Sequence, residues 1–209
     1  WATVNTFTEI QNSPSNRGRG LNGGGHSYVS IIQAWEIATL GNATMFGDLT
    51  NARAFIAGNV ASETRGIFGG GRNPAVHTNR IDYITIASQG DAVDFGDQSR
   101  AFMASGGMSS STRGIFAGGL APSDINNIDF FTIATKGNAS DFGDLTEAKH
   151  NYGAGTSSQT RGIFAGTEKY SPTSYNNTIE FITIATTGNA ADFGDITQQR
   201  GQNGDFSDV

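Results

Sequence analysis

A five-residue phrase, Thr-Arg-Gly-Ile-Phe, recurs along the chain at an almost constant spacing. It begins at Thr64, Thr112 and Thr160, and a weaker copy surrounds Arg19. Counted from Arg19, the arginines of the phrase are separated by 46, 48 and 48 residues. Two other phrases, Ile-Ala followed by Ser or Thr and then Phe-Gly-Asp, follow in the same order in every unit. A period of this length is typical of propellers and other repeat arrays, so the sequence predicts four equivalent structural units.

Each unit contains four short runs with the character of β-strands. In the third unit these runs are RAFMASGG, RGIFAGG, IDFFTIAT and NASDFGDLT. The run IDFFTIAT is apolar on both faces, which is typical of a strand that is covered on both sides. No run has helical periodicity, and the chain has only four prolines. We therefore predict an all-β fold, a β-propeller of four-stranded antiparallel blades made of four repeats, with a stacked β-solenoid as the structural alternative.

The repeat also predicts the domain organisation. We expect a single propeller domain over residues 1–209, with blades at about 1–50, 51–98, 99–146 and 147–197, and a closing or extra strand at 198–209. Three ways of closing the ring remain open. The N-terminal run VNTFTEIQNS could supply the first strand, the tail could insert into the first blade, or further sequence or a second chain could complete a larger ring. Unpaired sheet edges favour pairing of the tail in each case.

Composition excludes several classes of function. The net charge is −6 and no run of Lys or Arg occurs, so we expect no nucleic-acid partner. No apolar stretch is long enough for a membrane-spanning helix, so we expect no membrane partner. The chain has no cysteine, which excludes disulfides and thiolate chemistry. Charged residues make up only 15% of the chain and 29 residues are glycine, a composition that favours a turn-rich β protein outside the cell.

The unit resembles the kelch repeat, in which a basic residue precedes strand one, two glycines end strand two, and aromatic residues occupy strands three and four. In the third unit these places are filled by Arg100, Gly118–Gly119, Phe130 and Phe142. The first unit departs from the pattern, because Asn22 stands where the other units have phenylalanine. More narrowly, the phrases resemble kelch-like repeats in virion proteins of marine bacteriophages, particularly those that infect cyanobacteria.

The resemblance implies a function and a location. It implies a non-enzymatic structural or adhesion protein of a tail, fibre or capsid surface, located in the virion or outside the cell. The expected partners are other virion proteins or a host-surface glycan, and assembly as a homo-oligomer is left open. The alternative function is that of a soluble carbohydrate-binding or carbohydrate-active propeller.

Residues that occur once in every unit predict a structural role. They are Arg65, Arg113, Arg161, Phe95, Phe142, Phe193, Asp97, Asp144 and Asp195. We expect each arginine to bond an acidic group on its own or the next blade, with a ring of anion-binding arginines in a central channel as the alternative. The phenylalanines are expected to lie between neighbouring sheets.

Segments that differ between units are the candidates for recognition. The segment between strands two and three reads GRNPAVHTNR, LAPSDINN and TEKYSPTSYNNT in successive units. Loops on a rigid scaffold commonly carry binding residues, although ordinary solvated loops would read the same way. The side chains best able to stack on or hydrogen-bond a ligand there are Arg72, His77, Asp124, Tyr170 and Tyr175.

No catalytic or metal site is predicted. The three copies of Asp-Phe-Gly lack the catalytic loop and the lysine that accompany this motif in kinases. The three histidines have no metal-ligand spacing, and no pair of acids stands out as a glycosidase pair. We therefore assign no catalytic residue, no metal ligand and no cofactor.

Overall fold

A computed structural model describes residues 18–150, 155–170 and 172–201, and these residues form strands, turns and links without a helix. The predicted all-β class is confirmed. The N-terminal run VNTFTEIQNS and residues 202–209 of the tail, for which alternative closures were predicted, lie outside the described residues.

In the described part of the chain, fifteen strands make four antiparallel sheets, and each sheet is a meander of strands that are consecutive in the chain. The first sheet contains β1 (Arg19–Gly23), β2 (Ile31–Glu36) and β3 (Thr44–Asp48). The second contains β4 (Gly58–Ala61), β5 (Arg65–Gly69), β6 (Arg80–Thr85) and β7 (Val93–Asp97). The third contains β8 (Gly106–Ser109), β9 (Arg113–Leu120), β10 (Asp124–Thr132) and β11 (Ser140–Lys149). The fourth contains β12 (Thr156–Ser157), β13 (Arg161–Tyr170), β14 (Thr173–Thr183) and β15 (Ala191–Asp195).

The last two strands of every sheet are interrupted by the same β-bulge. In the second sheet, Ile81 is opposite Gly96. Its neighbour Asp82 is opposite Asp94, so Phe95 has no cross-strand partner. The equivalent extra residues in the other sheets are Phe46, Phe142 and Phe193. Because a bulge redirects its side chain, the bulge explains how a residue on the last strand can point towards a neighbouring sheet.

The apolar core lies between successive sheets rather than inside any one of them. Three clusters of buried side chains fill the junctions between sheets one and two, two and three, and three and four. At the middle junction, the Phe131 ring of the third sheet lies 5.3 Å from Phe95 and 5.1 Å from Phe116. Phe116 in turn lies against Gly58 and Gly69 of the second sheet, where a larger side chain would collide with its ring. The sheets therefore pack face to face in chain order, an arrangement consistent with a propeller.

The structural register corrects the alignment of the second and third units. Isolated β-bridges pair Ala54 with Arg72, Met103 with Leu120 and His150 with Glu168. Each partner follows the Arg-Gly-Ile-Phe phrase of its own sheet by the same number of residues, and Ala54, Met103 and His150 are therefore equivalent. The residues before them, Arg53, Phe102 and Lys149, are then equivalent as well. Arg100 was expected to match Arg53, but it precedes the equivalent position by two residues and is exposed. The repeated letters Arg-Ala-Phe are therefore out of structural register.

The variable segments are also shorter as loops than their sequence suggests. In the third and fourth sheets, β9 and β13 continue to Leu120 and Tyr170, and the returning strands begin at Asp124 and Thr173. Three residues separate β9 from β10, and two separate β13 from β14. The second sheet keeps a true loop at residues 70–79. Two of the three predicted recognition loops are thus the ends of extended hairpins.

Candidate binding site

A cleft of about 590 Å³ lies where the connections of the second, third and fourth sheets meet. Arg72 and His77 come from the loop of the second sheet, and Tyr170 comes from the hairpin of the fourth. The remaining lining is mainly apolar and consists of Ala75, Val76, Met103, Leu120 and Pro122. A concave surface that combines apolar lining with a few converging polar groups is typical of a ligand site. Three of the five residues singled out from the sequence are therefore brought together.

The loop of the second sheet has a defined shape that places Arg72. Arg72 and Ala54 exchange both backbone hydrogen bonds at 2.8 Å, which ties the loop to the link that enters the sheet. The Asn73 side-chain oxygen accepts from the backbone N–H groups of Ala75 and Val76 at 2.9 Å, forming the local turn that asparagine favours. The Gly71 N–H donates at 3.0 Å to the Phe102 carbonyl, which lies in the link between β7 and β8. The loop is thus held at both its base and its tip.

Both oxygens of the Asp124 carboxylate have partners within the protein, and Asp124 positions a neighbouring residue. One of its oxygens accepts from the Tyr170 backbone N–H at 2.8 Å, and the other lies 2.6 Å from the His150 ring. Asp124 starts β10 in the third sheet, and Tyr170 ends β13 in the fourth. The carboxylate therefore joins the tips of two neighbouring hairpins and fixes the backbone of Tyr170, whose side chain stays 58% exposed.

A second acidic residue holds the same hairpin close to its turn. Glu147 of the third sheet contacts the Lys169 ammonium group at 2.5 Å and accepts a hydrogen bond from Asn176. Burial alone would raise the pKa of Glu147, but the hydrogen bonds from Lys169 and Asn176 and the charges of Lys169 and Lys149 bring the pKa below its usual value. Glu147 thus remains ionised as a link between β13, β14 and the third sheet.

The protonation state of His77 is set by its surroundings in the cleft. Partial burial is the main cause that lowers the pKa of His77, and the positive charge of Arg72 lowers it further. His77 is therefore a neutral imidazole at neutral pH, able to donate one hydrogen bond and accept another. Arg72 supplies a permanent positive charge beside it, since an arginine side chain stays protonated in proteins.

Tyr175 does not join the cleft. It lies on β14, opposite Glu168, and its side chain is 47% exposed near Gly201. The sequence missed the apolar floor, because Met103 lies outside the variable segments and Leu120, although it begins the segment LAPSDINN, has no polar or aromatic group that would indicate recognition. Their bridge across the connection, with backbone bonds of 2.8 and 3.1 Å, is a pairing that the sequence does not indicate.

The repeated arginines lie at the sheet junctions, and their partners differ from those expected. Arg65 donates to the Ile133 carbonyl of the next sheet at 2.7 Å, and Arg113 donates to the Ile184 carbonyl at 2.7 Å. The prediction of an acidic partner is wrong for these two residues. Their guanidinium groups also stack on aromatic rings of their own sheets, at 4.6–4.7 Å from the ring centroids. Arg161 stacks on Phe181 at 4.6 Å and is exposed.

The repeated aspartates act through their backbone. The N–H groups of Asp97 and Asp144 donate to the side-chain oxygens of Asn138 and Asn189 in the next sheet, at 3.1 and 3.0 Å. Their carbonyls accept from that sheet at 2.8 Å. Asp195 occupies the same position in the fourth sheet and is exposed.

Buried ion pairs at the junctions are a feature that the sequence reasoning missed. Arg53 and Asp82 are both fully buried and lie 3.0 Å apart, and Lys149 and Glu180 form the equivalent pair two junctions later. Burial lowers the pKa of Arg53, and the Asp82 carboxylate offsets part of that effect. The signal was present in the sequence, because an acid follows the first isoleucine of the third run in three of the four units.

Within residues 18–150, 155–170 and 172–201, no three His, Cys, Asp or Glu side chains lie close enough together to hold a metal ion. That part of the chain also lacks any helix with the length and apolarity needed to cross a membrane. Comparison with models of known protein families and with curated proteins finds no match to this chain.

Proposed function

We propose that this chain is a non-enzymatic, kelch-like β-propeller module of a virion surface that binds a host-surface glycan in the cleft of Arg72, His77 and Tyr170. The convergence of three non-repeating connections in one cleft carries the proposal. Neighbouring sheets repeat their junction contacts, so the variable residues are the ones left to determine a ligand. The virion and extracellular locations rest on the resemblance of the repeat phrases.

The chemistry of the cleft suits a sugar. Tyr170 offers an exposed aromatic face, and the apolar floor of Met103, Leu120 and Pro122 provides further surface for the C–H face of a ring. Arg72 donates hydrogen bonds in a planar fork that also matches a carboxylate or sulfate substituent. Neutral His77 adds a donor and an acceptor for hydroxyl groups.

A glycan-binding measurement tests the proposal. Purified protein is applied to an array of bacterial surface polysaccharides, and the affinity for any retained glycan is measured by calorimetry. We expect Arg72→Ala and Tyr170→Ala each to weaken binding at least tenfold. Tyr175→Ala is the matched control, since it removes an exposed tyrosine of the same hairpin that lies outside the cleft, and it should bind as the parent does.

Two results would contradict the proposal. One is a parent protein that retains none of the polysaccharides, and the other is an equal loss of affinity in the Tyr175 control. Analysis of the glycan after incubation separates binding from cleavage, because shortened products would favour the carbohydrate-active alternative. Mass spectrometry of purified particles tests the virion location, and absence of the protein from them would contradict it.

A further inference from the structure

We call the face of a sheet that meets the next sheet in chain order its trailing face, and the face that meets the preceding sheet its leading face. Each junction inside the chain repeats one set of contacts between a trailing face and a leading face. An arginine on the trailing face donates to an isoleucine carbonyl on the leading face at 2.7 Å, in the pairs Arg19–Ile86, Arg65–Ile133 and Arg113–Ile184. A turn glycine on the leading face donates to the carbonyl of the bulge phenylalanine at 2.8–2.9 Å, in the pairs Gly90–Phe46, Gly137–Phe95 and Gly188–Phe142.

The trailing face of the fourth sheet carries the same groups without a following sheet among the described residues. Phe193 is 51% exposed, whereas Phe142 is 3% exposed. A side chain added at Gly143 would collide with the turn of the fourth sheet, but one added at Gly194 would meet nothing. No described residue accepts a hydrogen bond from the Arg161 guanidinium, and no inter-sheet hydrogen bond from the described residues reaches the Phe193 carbonyl.

The leading face of the first sheet is the complementary half of a junction. Ile37 is 65% exposed, whereas its equivalents Ile86, Ile133 and Ile184 are nearly fully buried. Trp35, which occupies the place of buried Ile84 and Phe131 side chains, is 40% exposed. Gly41 and Ala43 occupy the positions of the turn residues that donate across the interior junctions, and no described residue accepts from their N–H groups.

We propose that the trailing face of the fourth sheet binds the leading face of the first sheet in a second copy of this chain. The proposed junction continues the three interior ones: Arg161 would donate to the Ile37 carbonyl, and the Gly41 N–H would donate to the Phe193 carbonyl. Donors and acceptors are thus matched at both positions, and the two exposed apolar faces cover each other. Because the two faces differ, the contact is head-to-tail, and two copies close a ring if both junctions form.

One feature makes this junction weaker than the interior ones. Phe68, Phe116 and Phe164 each lie on a leading face, but Asn22 occupies their place in the first sheet. The wedge that Phe116 inserts between Gly58 and Gly69 therefore has no counterpart. We expect an association that is measurable at micromolar concentrations and that dissociates on dilution.

Mixing two single variants tests the head-to-tail geometry. Ile37→Arg blocks the leading face and leaves the trailing face intact, whereas Phe193→Arg does the reverse. By sedimentation velocity, the parent should form dimers or larger species and each variant alone should stay monomeric. An equimolar mixture should restore dimers, because it contains one intact face of each kind. Val93→Arg, on the exposed outer strand β7, is the control and should assemble as the parent does.

The outcomes separate this proposal from its rivals. A parent that stays monomeric at all concentrations overturns it, and so does a dimer that neither variant disrupts. A mixture that fails to restore dimers indicates a symmetric contact and also overturns it. Both substituted side chains are more than half exposed, and matching thermal melts of the variants show that the loss of assembly is not a loss of folding.

Disulfide trapping gives an independent readout, since the chain has no cysteine of its own. Asn42→Cys and Asp195→Cys copies, when mixed and oxidised, should form a cross-linked species that contains one of each. The matched control is the interior pair Asp144→Cys and Asn189→Cys, whose parent residues are joined by a 3.0 Å hydrogen bond. If the interior pair cross-links and the mixed copies do not, the proposal is wrong. If neither cross-links, the sedimentation result decides.

Glycan binding is a separate test, because every residue of the cleft belongs to sheets two to four or to their links.

Discussion

The sheet junctions and the loop face are built on opposite principles. Each interior junction is made by residues that recur in every unit, and the same donors meet the same acceptors three times. The loop face is made by connections that share neither length nor sequence, and only there do Arg72, His77 and Tyr170 meet. A residue that is repeated in every unit of this chain should therefore be assigned first to stability, and a residue that occurs in only one unit should be assigned first to recognition.

The fourth sheet provides a test of this assignment, because it keeps the repeated residue where no following sheet lies among the described residues. Phe142 and Phe193 occupy the same bulge position, yet one is buried against the next sheet and the other is half exposed. Phe142→Ala should lower the free energy of unfolding by about 3–5 kcal/mol through lost burial and the cavity left behind. Phe193→Ala should cost less than about 1 kcal/mol in the monomer.

Urea denaturation measures the free energy of unfolding of both phenylalanine variants. It is carried out at a concentration where the protein is monomeric. Equal losses in both variants would contradict the assignment of Phe142 to a junction. A Phe193→Ala loss that appears only at concentrations where the parent assembles would instead link that residue to the head-to-tail contact.

The buried ion pair tests how much a junction depends on charge. Arg53→Met removes the cation and leaves the Asp82 carboxylate buried, with hydrogen bonds from Thr50 alone among the described residues. Breaking one partner of a buried pair is strongly destabilising, and we expect a loss of about 3 kcal/mol in urea denaturation. Arg100→Met is the matched control, because it changes an exposed arginine in the same Arg-Ala-Phe phrase, and it should be within about 0.5 kcal/mol of the parent. A large loss in the control would restore the sequence alignment that the structural register overturns.

The third sheet shows why we expect the loss of unfolding free energy in Arg53→Met to lie at the low end of the range for broken buried ion pairs. Phe102 stands where Arg53 does, and Asp129 is still fully buried. There the carboxylate accepts from the Ser99 N–H at 2.9 Å and from the Asn127 side chain at 2.7 Å. Two neutral donors thus hold a buried carboxylate in this junction without the cation, so the pair is one of two solutions to the same problem.

The all-β fold class could be predicted from the sequence because two signals are local: the repeat period, and the third run of each unit, which is apolar on both faces. The position of the bulge phenylalanine was also visible, since Phe-Gly-Asp recurs in each unit. Arg100 was misplaced because identical letters outweighed a length difference of two residues that only backbone pairing reveals. The cleft was found in part, since variability identified Arg72, His77 and Tyr170. Met103 lies outside the variable segments and reaches the cleft through tertiary contact alone, and Leu120 lies in the segment LAPSDINN but has no polar or aromatic group that indicates recognition. Asp124 looked like a recognition residue and instead orients Tyr170, a role that depends on the neighbouring sheet.

The smallest predicted effect concerns the one unit that lacks an aromatic ring beneath its arginine. Arg65, Arg113 and Arg161 each stack on a ring of their own sheet, but Ala34 occupies that place beneath Arg19. A cavity of about 410 Å³ lies there, lined by Arg19, Ala34 and Phe46 among others.

Ala34→Tyr should fill this space, placing its ring under the guanidinium and edge-on to Phe46, as Tyr83 meets Phe95 at 6.0 Å. We expect a gain of about 1 kcal/mol from partial burial and the cation–π contact, which is a rise in melting temperature of about 2–4 °C. Gln33→Tyr adds the same ring to the opposite face of β2 and should leave the melting temperature unchanged. A melting temperature for Ala34→Tyr at or below that of the parent would show that Arg19 does not follow the pattern of its three counterparts. The stacking would then belong to the arginines of the later units alone, and the first sheet would differ from the others in more than its missing Phe wedge.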